Sequence, residues 1–440
     1  MNFKKELIKN IFFKGINTFL SFIITVLIVR LLGAEGNGVY SLFIANTAII
    51  ALIAGFSFNS GLTYYSAKNQ FSNESLLNTV FLLLVIQLIL IFLAEKIFQD
   101  IFGISFFLDS HSINFSIWGI FYVTTILLNG YLSAILTGNK WFDLLNIITI
   151  ITNIVFLFVY AVLLFQNEDQ SAIHTFMVMK IYILLIGVQT LIFLLFLLKK
   201  MKYQFHFSFI KLSHFRLITA YAGIAFFSNV FQFFAYRMDY WFINYYNNKE
   251  ELGLYALASK LNQVLWLLPI TIAAVIIPFT VSNSDVLKNN VKVILRVVFN
   301  GYILLAVLLA VISPFMIPLF FGHAFTESVL PFIILLPGVI IFSLTTILAA
   351  YFAGINRQAI NLKISFFCFL VIFIGDFLLV PKFGKEGAAA ASSLGYAISG
   401  ISSLYIFSKQ SATSFKEILL MRKNDILLIK NLILNKQDQQ

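Results

Sequence analysis

Residues 76–98 read LLNTVFLLLVIQLILIFLAEKIF, and residues 76–94 of this stretch contain no charged side chain. A helix that crosses the hydrocarbon core of a bilayer needs ~20 mostly apolar residues. A soluble chain could not bury such runs repeatedly, because a single hydrophobic core stops growing near ~250–300 residues. The stretch therefore predicts a transmembrane α-helix.

The same composition continues through the whole chain. Of 440 residues, 60% are hydrophobic and only 11% are charged, whereas soluble domains carry ~25% charged residues. We therefore predict an all-α integral membrane protein. Apolar runs between polar breaks predict twelve spans, at 11–32, 39–62, 76–98, 114–136, 144–165, 175–198, 216–236, 253–279, 293–320, 329–353, 361–380 and 388–408.

The distribution of basic residues predicts the orientation. The net charge of +11 comes from Lys and Arg in short loops and tails, so nucleic-acid binding is not predicted. With the N-terminus inside, 22 of the 30 Lys and Arg residues fall in inner segments and 6 in outer segments. This asymmetry predicts that both termini are cytoplasmic. The first run, 11–32, is too long for a cleaved signal peptide, so we expect it to be retained.

Weak self-similarity appears at about half the chain length. Gly-Val-Tyr at 38–40 is echoed by Gly-Leu-Tyr at 253–255, an offset of 215. Gly-Asn-Lys at 138–140 is echoed by Gly354 and by Asn-Arg at 356–357, an offset of 216 to 217. Each match is weak alone, but the order and the offsets agree. We therefore predict an internal repeat of six spans.

The repeat predicts an N-lobe at 1–200 and a C-lobe at 201–408 around a central cavity. Six is even, so both lobes enter the membrane in the same sense, as a parallel pseudo-twofold repeat. This architecture favours an alternating-access carrier over a channel, for which no filter loop is present.

In the tail at 409–440, Ser414 and Glu417 have capping-box spacing. The tail is predicted to be a basic amphipathic helix on the inner leaflet, with a solvated tail as the alternative.

Ionisable side chains inside spans are costly in hydrocarbon and mark candidate functional residues. Lys260 lies ~12 Å below the outer end of its span at 1.5 Å per residue, so we expect it to face a water-filled cavity. Lys180 lies nearer to a span end, where snorkelling is favoured. Arg30 and Arg237 could line the cavity or anchor the protein at the interface. The candidates for substrate binding are Arg30, Arg237, Asp239 and Lys260, with Lys180, Asp376 and Asn262 as secondary candidates.

The types of these residues indicate an anionic substrate, because arginine binds phosphate with a planar fork of donors. Arg237 and Asp239 are two positions apart and cannot face each other on one helix, so their partners should come from other helices. Arg237 could stack on Trp241, one turn away. Amides such as Asn262 suit sugar hydroxyls but also join helices together. We find no deep carboxylate in the first six spans.

Enzyme signatures are absent from the sequence, which has no Walker loop, no G-x-S-x-G and no H-E-x-x-H. The single cysteine, Cys368, excludes an internal disulfide, and the five histidines lack metal-ligand spacing. We therefore predict no catalytic residue, no metal and no cofactor.

Two stretches carry a resemblance to a known family. The first is VRLLGAEGNGVYSL at 29–42, and the second runs through YRMD at 236–239, LGLYA at 252–256, SKL at 259–261 and the Pro269 region. Both resemble the polysaccharide-export branch of the multidrug/oligosaccharidyl-lipid/polysaccharide superfamily, the Wzx-type flippases. The pattern R-L-L-G-x-x-G-x-G-x-Y at 30–40 is specific to that branch, but it does not fix the substrate.

The resemblance implies a flippase that moves undecaprenyl-pyrophosphate-linked oligosaccharides, such as O-antigen units of lipopolysaccharide, to the outer leaflet of a bacterial plasma (inner) membrane. It implies a V-shaped two-lobe fold with a cationic central cavity, in which Arg30, Arg237, Asp239 and Lys260 occupy matching motif positions. The expected partners are the lipid-linked oligosaccharide, membrane lipids, a polysaccharide polymerase and chain-length machinery, with the flippase itself a monomer. A cation-coupled drug or metabolite exporter and a membrane polysaccharide polymerase are the alternatives.

Overall fold

A computed structural model describes residues 3–67, 71–108, 113–166, 175–201, 212–282, 284–355, 357–422 and 425. Within these ranges the regular structure is helical, with thirteen α-helices and one 3₁₀ helix, His323–Ser328. The α-helices are α1 (Phe3–Gly55), α2 (Phe58–Ala67), α3 (Asn73–Phe102), α4 (Ile113–Gly138), α5 (Phe142–Gln166), α6 (Thr175–Met201), α7 (Leu212–Tyr246), α8 (Lys249–Val264), α9 (Leu267–Ser282), α10 (Ser284–Phe321), α11 (Val329–Gly354), α12 (Gln358–Ser411) and α13 (Phe415–Leu419).

The predicted spans are confirmed. Each of the twelve overlaps a helix. The long helix α12 contains two of them, and α1 contains one and the greater part of the next, which continues in α2. Among the described residues, nine helices are long and apolar enough to cross a membrane. The protein is therefore an all-helical, multi-pass membrane protein.

Two glycines interrupt the longest helices. Gly33 has φ 63° and ψ −173° inside α1, and Gly384 has φ 50° and ψ −130° inside α12. Positive φ is sterically unfavourable for residues that carry a Cβ atom. Glycine at these two positions therefore lets one continuous run of helix contain two spans with a sharp change of direction between them.

The predicted repeat is visible in the helix breaks. The second span of the first half breaks at Phe56 and Ser57, both with positive φ, where α1 ends and α2 begins. The second span of the second half breaks at Leu265 and Trp266, between α8 and α9. Both breaks divide the corresponding helix of a six-span half.

Residues 1–233 form a first compact unit, and residues 234–440 form a second one, so the boundary between them falls within α7. The core of the first unit contains Phe43, Leu77 and Leu132, which are all less than 2% exposed. These side chains come from α1, α3 and α4, the central helices of this unit. Burial of such side chains against each other fixes the helix packing, while other apolar faces remain available for lipid.

The core of the second unit lies between α10, α11 and the second half of α12. Val291, Leu344 and Phe407 are fully buried in it. The opposite face of α10 is apolar and exposed, with Val311 at 65% and Phe315 at 78% exposure. Because large exposed apolar faces do not occur on soluble proteins without a partner, this face is the lipid-contacting surface of the helix.

The start of the tail is anchored on the second unit. Ser414 and Glu417 form the capping box that the sequence predicts, at the start of α13. Ile418 is fully buried in the core of the second unit. Residues 423–424 and 426–440 lie outside the described residues, so the amphipathic tail as a whole stays a prediction.

An ion pair fastens the same segment. Arg296 on α10 is 6% exposed and forms a two-pronged pair with Asp425, at 2.7 and 2.9 Å. Arg296 also donates to the carbonyl of Glu417 at 2.8 Å. Asp425 lies outside the spans, and its hydrogen bond from Arg296 holds the pKa of the carboxyl below its usual range. The pair therefore stays ionised at neutral pH.

Candidate substrate-binding site

The hairpin of α7 and α8 positions the candidate residues of the second unit. Asn248 caps α8, because its side chain accepts a hydrogen bond from the backbone N–H of Glu251 at 2.8 Å. Glu250 and Glu251 in the first turn of α8 complement the positive end of its dipole. The turn between α7 and α8 is short. A side chain on α7 therefore comes close to a side chain on α8 that lies equally far from the turn.

Arg237 on α7 is half-buried and bonds within the second unit. Its guanidinium donates to the hydroxyl of Tyr240 at 2.7 Å and to the side-chain oxygen of Gln263 on α8 at 3.2 Å. It also lies 4.9 Å from the centre of the Tyr240 ring. The expectation that Arg237 stacks on Trp241 is wrong, because Trp241 instead packs against Phe234. Tyr240, three positions after Arg237, lies under the guanidinium in place of Trp241, which is four positions after it.

Asp239 is the most completely bonded carboxylate of the hairpin. It is 1% exposed, and it accepts from the backbone N–H of Tyr240 at 2.9 Å and from the hydroxyl of Ser392 on α12 at 3.2 Å. The hydroxyl of Tyr255 on α8 also donates to it. As the spacing predicts, Asp239 and Arg237 find side-chain partners on other helices.

A second buried carboxyl lies near Asp239. Asp376, on the first half of α12, is fully buried. Neither of its oxygens has a hydrogen-bond partner in the described part of the chain, and it interacts electrostatically with Asp239. A buried polar group without a partner is rare and costly, so Asp376 is the least satisfied acidic group of the second unit.

Lys260 is exposed at the surface of α8. It interacts electrostatically with Arg237. Neither cation forms an ion pair with a residue in the described ranges. Two positive charges therefore lie near each other within the hairpin without a carboxylate in direct contact, although Arg237 interacts electrostatically with Asp239.

The remaining candidates have other surroundings. Asn262 is buried and donates to the carbonyls of Ala258 and Phe332 at 3.0 and 3.2 Å, which joins α8 to α11. Lys180, in the first unit, lies 4.2 Å from the centre of the Phe176 ring. Arg30 also belongs to the first unit, where it is half-buried.

Sequence reasoning missed one cluster of charges in the second unit. Lys385, directly after the break in α12, is 5% exposed. Its ammonium contacts Glu251 at 2.7 Å, Glu327 at 2.9 Å and Glu386 at 3.7 Å. The sequence predicts an outer loop charge at Lys385, between the spans 361–380 and 388–408, and it does not show which acidic residues surround it.

The expectation of no deep carboxylate in the first six spans is also wrong. Glu95 on α3 is 6% exposed, and its oxygens accept from Gln99 at 2.8 Å, Ser105 at 2.7 Å, Ser116 at 2.8 Å and the backbone N–H of Phe106 at 3.2 Å. Because Glu95 lies near a predicted span end, the sequence indicates an exposed charge at this position. The loop that follows α3 folds back and supplies neutral donors, which allows the carboxylate to be buried.

The sequence of the chain also fits a family model described as "Polysaccharide biosynthesis protein", which matches residues 3–284. The match includes all of the first unit and the charged hairpin. The chain belongs to this polysaccharide biosynthesis family. None of the curated proteins compared with the chain matches it.

Three solved structures of a flippase and of transporters share the fold of this chain. A structure titled lipid II flippase MurJ, in the inward closed conformation, has a TM-score of 0.73 at 15% identity over 98% of this chain and 94% of that chain. An inward-facing multidrug resistance MATE family transporter of the MOP superfamily has a TM-score of 0.65 at 15% identity, over 92% and 98%. A MOP superfamily transporter from Pyrococcus furiosus has a TM-score of 0.62 at 13% identity, over 93% and 96%.

Proposed function

We propose that the protein is a flippase that moves a pyrophosphate-linked, lipid-anchored oligosaccharide across the bacterial inner membrane for surface polysaccharide synthesis. The observation that carries the proposal is the pair of cations Arg237 and Lys260, which lie on one hairpin without a carboxylate partner among the described residues. Membership of the polysaccharide biosynthesis family supports the same conclusion.

The chemistry of the pair fits a diphosphate. The guanidinium of Arg237 is held by Tyr240 and Gln263, so its direction is set before any substrate arrives. Lys260 is exposed and adds a mobile charge beside it. A diphosphate carries its charges on adjacent groups, and two neighbouring cations can contact both. Arg30 is proposed to contribute a further positive charge from the first unit.

The transport cycle follows from the amphipathic nature of the substrate. The charged sugar-diphosphate headgroup enters a polar cavity while the prenyl chain stays in lipid, because burying the diphosphate in hydrocarbon would be prohibitive. Alternating access then exposes the headgroup to the opposite side. The resemblance to the export flippases implies that the direction is from the inner to the outer leaflet.

The test is removal of each charge in cells that lack the native gene. We expect Arg237→Ala and Lys260→Ala to reduce polysaccharide export at least ~10-fold, as expected for loss of one charge-assisted contact, with lipid-linked units accumulating in the inner leaflet. Arg422→Ala is the matched control, because this arginine is 55% exposed in its pair with Glu417. Full export by both variants at normal protein level would refute the proposal.

The carboxyl pair Asp239 and Asp376 favours a second candidate function, a cation-coupled exporter. A buried acidic pair in a transporter fold is suited to binding a proton or a metal cation. Proton- or sodium-driven efflux of small organic cations from proteoliposomes, lost in Asp376→Asn, would support this candidate. The same efflux in the absence of any effect on lipid-linked sugars would exclude the flippase.

A further inference from the structure

The first unit contains an elongated cavity between α1 and α3 that the proposed function does not use. It has a volume of about 460 Å³, within the ~300–1,000 Å³ typical of ligand pockets. Its lining on α3 runs from Gln87 to Phe98, a distance of ~16 Å at 1.5 Å per residue. Ile53 and Leu90, which also line it, are 58% and 59% exposed. Both lie in predicted spans, so the cavity opens to lipid.

One end of the cavity makes no polar demand on a ligand. There the side-chain amide of Gln87 donates to the carbonyl of Ala54 and to the hydroxyl of Tyr131, each at 2.8 Å. Both hydrogens of the amide are therefore used within the protein. Between this end and the opposite one the lining is aliphatic, with side chains such as Ile50 and Ile91. A hydrocarbon chain fits this part of the cavity.

The opposite end carries a buried carboxylate. Glu95 lines the cavity and is 6% exposed, and Phe106, whose backbone N–H donates to its Oε2 at 3.2 Å, lines the same end. Oε1 already accepts three hydrogen bonds, from Gln99, Ser105 and Ser116. Each carboxylate oxygen has two lone pairs, so Oε2 retains a free acceptor position.

The charge of Glu95 has no opposite charge beside it. Glu95 forms no ion pair with any residue in the described ranges, and its four hydrogen-bond partners are neutral donors. Removing a carboxylate from water is costly, and neutral hydrogen bonds leave its charge uncompensated. A cation in the cavity would supply the missing charge.

The aromatic rings at this end indicate the kind of cation. Phe98, Phe106 and Phe107 all line the cavity, and the rings of Phe98 and Phe106 lie 5.2 Å apart, edge to face. Aromatic faces attract organic ammonium groups. A metal ion such as Ca²⁺ or Mg²⁺ takes ~6 oxygen ligands, and the three rings supply none. An ammonium group therefore suits this end better than a metal ion does.

We propose that the cavity between α1 and α3 binds a lipophilic ammonium ion, with its charged group at Glu95 and its hydrocarbon chain along α3. The lining contains no Lys or Arg, so the phosphate of a phospholipid headgroup would have no partner there. The ligand is therefore an amine bonded directly to its chain, and it enters from the bilayer past Ile53 and Leu90. The site lies wholly within the first unit and is independent of the proposed flippase activity.

The experiment uses the full-length protein in phosphatidylcholine nanodiscs and a dodecylammonium probe with a photoreactive diazirine at the far end of its chain. We expect irradiation to attach the probe to the aliphatic part of the cavity, at residues 50–54 or 87–91. Unlabelled dodecylammonium should compete ~10-fold more effectively than dodecanol, as expected for one charge-assisted contact. Dodecanol is the matched neutral ligand, because it has the same chain, and the two competitors are compared at equal concentration in the bilayer.

Three variants locate the site. Glu95→Gln removes the charge and should make dodecylammonium and dodecanol compete equally. Glu74→Gln is the matched control, because it removes the same charge in the first turn of α3, outside the cavity, and it should leave the preference for the amine unchanged. Ala94→Leu fills the cavity at an exposed position. It should abolish attachment of the probe at these residues, and it tests the site if Glu95→Gln fails to fold.

Several outcomes would overturn the site. They are attachment of the probe only outside these segments, equal competition by the amine and the alcohol in the wild-type protein, a retained preference in Glu95→Gln, and undiminished attachment in Ala94→Leu. Attachment within the cavity, together with a preference for the amine that Glu95→Gln loses and Glu74→Gln keeps, supports the site.

Discussion

Tyr40 and Tyr255 occupy matching positions of the two repeats, yet they meet different chemistry. Tyr40 is 6% exposed, and its ring lies 5.6 Å from that of Tyr182, edge to face. The ring of Tyr182 also lies 6.0 Å from that of Tyr122, so the first tyrosine belongs to a cluster of neutral phenol rings. Tyr255 is fully buried and donates its hydroxyl to the carboxylate of Asp239.

The difference shows how matching positions of a duplicated scaffold can meet different chemistry. In the first unit the tyrosine packs against other phenol rings, whereas in the second unit it meets the carboxylate of Asp239. The packing position of the tyrosine is retained, because a large aromatic side chain fills the same gap. The hydroxyl of the tyrosine then interacts with the group that lies opposite it in each repeat.

The largest expected effect concerns the hydrogen bonds to Asp239, the charged residue in this comparison. Asp239→Ala leaves three buried donors without an acceptor, so we expect it to lower the free energy of unfolding by about 3 kcal/mol. Tyr40→Phe removes one hydroxyl from the neutral cluster and should cost about 1 kcal/mol. Both are measured by thermal and denaturant unfolding of the protein in nanodiscs. Equal losses in the two variants would show that the two clusters are energetically alike.

A second prediction concerns a buried and an exposed ion pair of the same segment. Arg296→Gln breaks the pair with Asp425 and should release the tail, with a cost of about 2 kcal/mol and faster proteolysis after residue 411. Arg422→Gln breaks the exposed pair with Glu417 and should change stability by less than about 0.5 kcal/mol. Identical protease sensitivity of both variants would contradict the burial argument.

The buried pair of Arg296 and Asp425 should make the protection of the tail from proteolysis depend on pH. The pKa of Asp425 is lowered in the folded protein by its hydrogen bond from Arg296. A lowered pKa means that the stabilisation is complete above the unfolded value of ~3.9 and is lost as the pH falls through the folded value. Tail protection should therefore be constant from neutral pH down to about pH 4 and then decline. In Arg296→Gln, protection should already be absent at neutral pH.

The smallest expected effect compares the two helix-breaking glycines. Gly33→Ala places a Cβ at positive φ but meets no atom within 4 Å, so it should cost about 1 kcal/mol. At Gly384 the same Cβ would also lie 3.1 Å from the side chains of both Asn247 and Glu251. Gly384→Ala should therefore lower the melting temperature further than Gly33→Ala. The opposite order would mean that α1 is the more constrained of the two helices.

The sequence predicts the spans and the repeat well, because hydrocarbon imposes a long apolar pattern that can be read locally. It also identifies Asp239 as a residue whose side-chain partners come from other helices. It does not identify those partners, because Tyr255 and Ser392 are 16 and 153 positions away along the chain. Nothing local marks either residue as a donor to that carboxylate.

The errors share one physical cause. Glu95 and Lys385 both lie near predicted span ends, where charged residues normally face water. Each is buried instead, because another segment folds over it: the loop after α3 supplies hydrogen bonds to Glu95, and segments distant along the chain supply counter-charges to Lys385. Such segments are connections rather than spans, and their course depends on the packing of the complete unit.

The ammonium of Lys385 holds three connections of the second unit to one point. Glu251 follows the α7–α8 turn, Glu327 lies in the 3₁₀ helix before α11, and Lys385 itself follows the break in α12. Each of these connections joins two spans, and each such pair of spans could tilt independently of the other pairs. Because one cation contacts all three connections, tilting one of the span pairs that carry Asp239, Phe332 and Ser392 against the others would break an ion pair of Lys385.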